Sequence, residues 1–399
     1  MAAPSSTLGF TADDSALTAP TPTSALADRI ERLTGRTVRA GADAMVIGPG
    51  ADLRYLVGHS VSSHERLTCL VVGADGTTTL LVPALERPGW SGTPVEDLGL
   101  QILSWRDGQD PYSVLAALLP DGARVLAVDD YLPAVQTLGL QAAVPGSALM
   151  LAGPAIAELR MRKDVAEVAA LTAVGAAIDR VHGRMAEWLR AGRTEREVAA
   201  DISAAIVEEG HARADFVIVG SGPNGASPHH EASDRMIEAG DSVVVDIGGP
   251  SPAGYFSDCT RNYVVGAPAD PELGVVHQIV RQAQAAGVAA VVAGASCESV
   301  DAASRRVITD AGYGDCFITR TGHGIGLEVH EHPYMVSGNS RTLEPGMAFS
   351  VEPGIYLPGR FGVRIEDIVV VGTDGQPLLL NNATTELLAM PAARDGGMV

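Results

Sequence analysis

The chain has 399 residues, 46% apolar and 19% charged, which suits a globular protein and excludes a disordered one. Its formal net charge of −20 argues against a nucleic-acid partner, since phosphate binding needs a basic surface. The length exceeds what one ordinary core holds, so two domains are expected.

Residues 1–24 are rich in Ala, Ser, Thr and Pro and have neither a basic stretch nor an apolar core, so they read as a loose tail and not as a signal peptide. The cytoplasm is the expected compartment. The four cysteines, Cys69, Cys259, Cys297 and Cys316, form no CxxC pair and read as free thiols. No apolar run is long enough to span a bilayer. Residues 25–154 mix short strands with helices. ADAMVIG (from Ala42), LTCLVVG (from Leu67), TTTLLVP and ARVLAVDD (from Ala123) read as strands, and SVLAALL as a helix, predicting a smaller α/β domain. Gly153-Pro154 reads as the border. Residues 155–190 carry a long helical pattern, and Thr194 with Glu197 forms a capping-box pattern before a second helix. Strands and helices then mingle to about residue 391, with long helices near 270–292 and 298–311, predicting an α+β domain over 155–391. Residues 392–399 read as a tail.

Two segments carry the chemistry. SVVVDIGGPSPAGYFSDCTRNYVV, from Ser242, reads as a hairpin around a Pro/Gly turn. Strand side chains alternate faces, so Asp246 shares a face with Val244, and Asp258 with Thr260. With the turn centred on Pro252, Asp246 and Asp258 are direct cross-strand partners, with Cβ atoms roughly 5 Å apart. AFSVEPGIYLPGRFGVRIEDIVVV, from Ala348, repeats the plan. Centred on Gly359, it sets Glu352 against Glu366, with Arg364 on the face of Glu366 and Asp367 on the other. Between the hairpins, TGHGIGLEVHEHPYM (from Thr321) holds His323 between two glycines and places His330 seven residues later.

At an effective dielectric near 20, two carboxylates about 5 Å apart repel by roughly 3 kcal/mol. Four together would cost on the order of 10 kcal/mol, comparable to a domain's whole stability. They must be protonated or bind cations. Four carboxylates and an imidazole suit two divalent ions such as manganese, cobalt or zinc, which can acidify a shared water and polarise a carbonyl.

VVVDIGG…SD, GHGIGLEVHE, SVEPGIY and GVRIED resemble, in order and context, the pita-bread metallopeptidases: Xaa-Pro aminopeptidases, prolidases and methionine aminopeptidases. ELRMRKDVAEVAAL (from Glu158) and DLRYLVGHS (from Asp52) extend the likeness upstream. The resemblance implies a pita-bread catalytic domain preceded by a smaller creatinase-type α/β domain that aids dimerisation and pocket closure. It implies two divalent ions, manganese foremost, on Asp246, Asp258, His323, Glu352 and Glu366, with Glu352 also shuttling the proton of a bridging hydroxide. His229 corresponds to a substrate-side histidine, His330 to one that steadies the tetrahedral intermediate, and Arg364 to an arginine that organises the site. His230 competes with its neighbour His229 for the substrate-side position, His229 being preferred; His332 acquires no role, and Cys259 reads as a packed thiol.

The implied activity is a metallo-aminopeptidase or prolidase-like dipeptidase that cleaves before proline, where the tertiary amide has no N–H for ordinary peptidases to grip. Some prolidases carry an arginine four positions after the second histidine. Tyr334 stands there in this chain, which points towards longer Xaa-Pro peptides. A homodimer is expected. A metal-free creatinase-like hydrolase or a non-enzymatic scaffold on the same fold should lack several ligands, whereas all five are present.

Overall fold

The structure, a computed structural model, describes residues 12–62 and 65–392. The chain forms two compact units. One spans Pro20–Arg160; the other takes the chain from Met161 together with the described residues up to Ala19.

The smaller unit is built on a six-stranded sheet in the order Gln101–Trp105, Thr78–Pro83, Cys69–Gly73, Ala44–Ile47, Val125–Val128, Ala148–Leu151. The three central strands are antiparallel and the outer additions parallel. The four expected strands are all present. The two missed ones are the sheet edges, where half-exposed residues leave no continuous apolar run to read. A helix over Thr23–Ala40 buries Leu26, Ile30 and Leu33 on one face and ends at Gly41, whose φ of 73° suits glycine.

Three expectations need correction. Residues 12–24 are not a loose tail: Asp14–Leu17 form a 3-10 turn capped by Asp13, and Leu17 packs on Ala173, Val174 and Ala177. The rest of that tail, and residues 393–399 at the other end, lie outside the described residues. Gly153-Pro154 does not separate the units but opens the helix Gly153–Arg160, where a proline in the first turn sacrifices no hydrogen bond. The long pattern over 155–190 is two helices, because Asp164 caps Val165–Gly183 through a reciprocal box with Glu167 while Arg162 bridges to Met347. The box at Thr194 and Glu197 starts Glu195–Glu208 as expected.

In the larger unit, a four-stranded sheet runs Leu388–Met390, Phe256–Val265, Ser242–Pro250, Phe216–Ser221. A five-stranded sheet runs Glu331–Met335, Gly322–Gly324, Ala348–Val351, Asp367–Val371, Pro377–Leu379, and Gly354–Leu357 pairs with Phe361–Arg364. Helices Leu273–Ala289 and Cys297–Asp310 match the two predicted. No described helix is long and apolar enough to cross a membrane.

Candidate metal centre

Strands Ser242–Pro250 and Phe256–Val265 are buried throughout. Val243, Val245, Ile247, Cys259, Tyr263 and Val265 fill a core with Ile202, Ile206 and Trp188. The opposite face therefore presents Asp246, Asp258 and Thr260. A one-residue slip of either strand would drive its acid into that core, so the apolar face fixes which side the acids take. The pairing itself differs from expectation. Asp246 lies opposite Thr260 and Asp258 opposite Gly248, which centres the turn on Ala253 and makes the two aspartates diagonal neighbours. The Ser251 N–H donates to Tyr255 O at 2.9 Å and closes the turn around Ala253.

The second hairpin is centred on Gly359 as expected, but its ladder is interrupted. Ala348–Val351 pairs with Asp367–Val371, and Gly354–Leu357 with Phe361–Arg364. Glu352 and Glu366 stand opposite one another in the break. Their backbone N–H groups donate instead to Thr321 O and Thr260 O, which ties this hairpin to both neighbouring elements. Asp367 points away, paired with Arg261 at 2.6 Å and accepting from Gln284 at 2.7 Å.

His323 sits in Gly322–Gly324, pressed between two strands. A Cβ at Gly322 would meet Ser350 O at 1.8 Å, and one at Gly324 would meet His332 O at 2.2 Å. Nδ1 lies 3.1 Å from Gly324 O; a carbonyl only accepts, so Nδ1 carries the hydrogen. In the neutral ring, Nε2 then turns a lone pair towards Asp258 Oδ2 (3.5 Å) and Glu352 Oε1 (3.2 Å). Three acceptors face one another, and a proton or a cation has to lie among them. Atoms of Asp258, His323 and Glu366 come within 4.8 Å of one another.

Arg364 donates to Asp246 Oδ2 (2.6 Å), Thr260 Oγ1 (3.0 Å) and the Tyr356 hydroxyl (2.9 Å). Thr260 in turn donates to Glu366 Oε2 at 2.8 Å. Asp246 Oδ1 and Glu366 Oε1 remain buried without a hydrogen-bond partner. Burial, then Glu366, Asp246 and Glu352, raise Asp258 well above the ordinary carboxylate range. Burial with Glu352 and Asp246 does the same to Glu366. Burial also works against ionised Glu352, but in the metal-free site a hydrogen bond and charge interaction with a protonated His323 ring prevail and lower it. One guanidinium against four carboxylates leaves the cluster short of positive charge. The bare oxygens and the oxygen-rich donor set fit divalent metal ions.

All eight expected site residues line one cavity of about 600 Å3. His330 lies 4.2 Å from His323 between ring centroids, and burial, with His323 beside it, lowers its pKa to about 4. His229 is on the wall, whereas His230 is engaged by buried Glu195 at 2.7 Å. His332 is exposed and packs edge-on against Tyr334. Sequence reasoning missed the roles of Ser350, which donates to Glu352, and of Tyr356. Their even-numbered alternation with Glu352 was the available signal. Arg320, also on the wall, gave none.

The model of metallopeptidase family M24 matches residues 169–373, and that of the creatinase/prolidase N-terminal domain matches residues 29–162. The chain belongs to metallopeptidase family M24. This M24 chain is 48% identical over 367 residues to the probable dipeptidase PepE of Mycobacterium bovis, covering 92% of this chain and 97% of that one. It is 33% identical to the Xaa-Pro dipeptidase of Lactobacillus helveticus, over 84% of this chain and 91% of that one. The crystal structure of dipeptidase PepE from Mycobacterium ulcerans superposes with a TM-score of 0.88 at 49% identity, covering 94% of this chain and 100% of that one. The M24 fold is thus a pita-bread catalytic domain behind a creatinase-type N-terminal domain, the fold class expected.

Proposed function

We propose that the chain is a two-metal exopeptidase that hydrolyses Xaa-Pro dipeptides into an amino acid and proline. The observation that carries this reading is the pair of buried, unpartnered oxygens, Asp246 Oδ1 and Glu366 Oε1, beside the converging acceptors of Asp258, His323 and Glu352. Leaving a buried acceptor bare costs about 1–3 kcal/mol, more when it is charged. Family membership and the dipeptidase names of the relatives supply the substrate class and favour two-residue substrates over the longer peptides that Tyr334 suggested.

Two divalent ions held by Asp246, Asp258, His323, Glu352 and Glu366 would polarise the scissile carbonyl and acidify the attacking water. Four carboxylates to one imidazole favour manganese, with cobalt and zinc next. Glu352, steadied by Ser350 at 3.1 Å, would take the water's proton and pass it to the departing proline nitrogen. His330, neutral at working pH, would donate an N–H to the oxygen on which charge develops. His229 would contact the substrate from the wall, and Arg364 holds Asp246 and Thr260 in place. A cytoplasmic homodimer belongs to the same reading, and light scattering checks the dimer.

The test is an assay of Ala-Pro hydrolysis by protein stripped with a chelator and then given manganese, cobalt or zinc. Activity should vanish on stripping and return with metal. Cleavage that persists in the stripped protein would sink the reading.

A further inference from the structure

Glu195 opens the helix Glu195–Glu208 and is fully buried. Among the described residues no lysine or arginine lies within ion-pair distance of it. Its carboxylate instead gathers donors from one neighbouring stretch of chain. Oε1 accepts from the Ser221 N–H (2.8 Å), the Ser221 hydroxyl (2.7 Å) and the Asn224 side-chain amide (3.1 Å). Oε2 accepts from the Ser233 N–H (3.0 Å), the Ser233 hydroxyl (2.6 Å) and His230 Nε2 (2.7 Å), which therefore carries a hydrogen. Burial pushes the carboxyl pKa up, but the donors on Ser233, Ser221 and His230 outweigh it and hold it at about 2. The backbone is tied at the same place: the Glu195 N–H donates to Arg235 O at 3.1 Å, and the Arg196 N–H to Ser233 O at 3.0 Å. An anion at the first residue of a helix is further favoured by the helix dipole.

These donors bracket the segment from Ser221 to Ser233, and the chain between them needs such a tie. From Ser227 to Ser233 it has no helix or strand and no fully buried residue, so apolar packing does little to fix its path. Pro228 and His229 of this stretch stand on the cavity wall. His230, the next residue, turns to Glu195 instead. The two neighbouring histidines thus take opposite parts: one ring is spent on the anchor, and the other is left for the cavity. We propose, on the reading of His229 as a substrate contact, that Glu195 is a positioning residue that holds His229 at the wall through His230, Ser221 and Ser233. The carboxylate touches neither the cavity nor the metal ligands, so its loss should weaken substrate binding while the metal centre stays intact.

The test measures Ala-Pro hydrolysis at saturating manganese by wild type, E195Q, H230A, H230Q, H229A and the double variant H229A/H230A. E195Q turns an amide NH2 towards a ring of donors and should lower stability, so the His230 variants, which keep the carboxylate and its other donors, carry the comparison. H230A should raise KM about 10-fold, as for the loss of one hydrogen bond to a charged group, with kcat within about threefold and manganese content unchanged. H230Q, whose amide nitrogen reaches the place of Nε2, should recover most of that loss. In the H229A background H230A should add less than about twofold, because nothing is left to position. Folded E195Q should repeat the KM-weighted loss. A loss in kcat instead of KM, a loss that recurs in full beside H229A, or His230 variants that match wild type would overturn the proposal. H229A indistinguishable from wild type would also overturn it and leave the peptidase reading intact, whereas wild type that fails to cleave with metal present would overturn both.

Discussion

Replacing Arg364 by methionine probes the electrostatics of the cluster directly. The guanidinium is 3% exposed, Asp246 is 8% exposed, and 2.6 Å separates them. Methionine fills much of the same volume but leaves Asp246 with neither oxygen partnered, since Oδ1 already has none. Thr260 and Tyr356 each lose a donor as well. Removing one member of a buried pair costs about 3–5 kcal/mol. For a domain of this size, each kcal/mol moves the melting temperature by roughly 2–4 °C, so metal-free R364M should melt on the order of 10 °C below wild type. The deficit has two remedies. Adding D246N removes the stranded charge and should restore part of the loss, with a coupling of about 0.5–3 kcal/mol in the double-mutant cycle. Saturating manganese supplies another counter-charge and should narrow the gap further; a ligand at 100 times its Kd stabilises the folded state by about 2.7 kcal/mol. Calorimetry of the four proteins, with and without metal, makes the comparison. A metal-free loss below about 1 kcal/mol, or one indifferent to D246N, would show that Arg364 does not hold the acids together.

Three further outcomes are expected. E352Q should lower kcat by about 10²- to 10⁴-fold, because the amide cannot accept the water's proton, while far-UV circular dichroism stays unchanged. G322A should fail to accumulate as folded protein or should melt well below wild type, because its Cβ has nowhere to go but into Ser350 O; a normal melting curve would contradict the packing described. Burial, then Arg281, lowers the pKa of His277 to about 4, and its Nε2 has no partner. The unfolded chain protonates this histidine below about 6.5 and the folded one only near 4, so unfolding takes up a proton between those values. Stability is therefore lost as pH falls through that window, by about 1.4 kcal/mol per pH unit for this group. H277L should flatten the dependence by that slope, as read by chemical denaturation at pH 7, 6 and 5.

The centre was readable because strand alternation and paired acids leave a direct trace. The parity of Asp246 and Asp258 and the Gly359 centring of the second hairpin follow from residue types alone. The first hairpin's register did not, because the Pro/Gly-rich turn admits more than one centre and only the packed structure selects Ala253. The interruption that frees Glu352 and Glu366 from the ladder was equally hidden, since both flanking runs look like continuous strand. Arg320 left no trace, because its contact is with a ring fourteen positions later in the chain, which is not a pattern in the sequence. The edge strands Gln101–Trp105 and Ala148–Leu151 escaped because half-exposed strands need not be apolar.

The placement of Leu17 has a consequence for how the molecule can be taken apart. The chain begins its described course in the catalytic unit, departs at Pro20, and returns only at Met161. The smaller unit is thus inserted into the larger one in sequence, and separating them takes two cuts. A fragment that starts at Met161 would lose Leu17 from the Ala173–Val174–Ala177 patch and the carbonyl that receives the Ala253 N–H at the tip of the acidic hairpin. Supplying residues 12–19 as a separate peptide should mend such a fragment in trans.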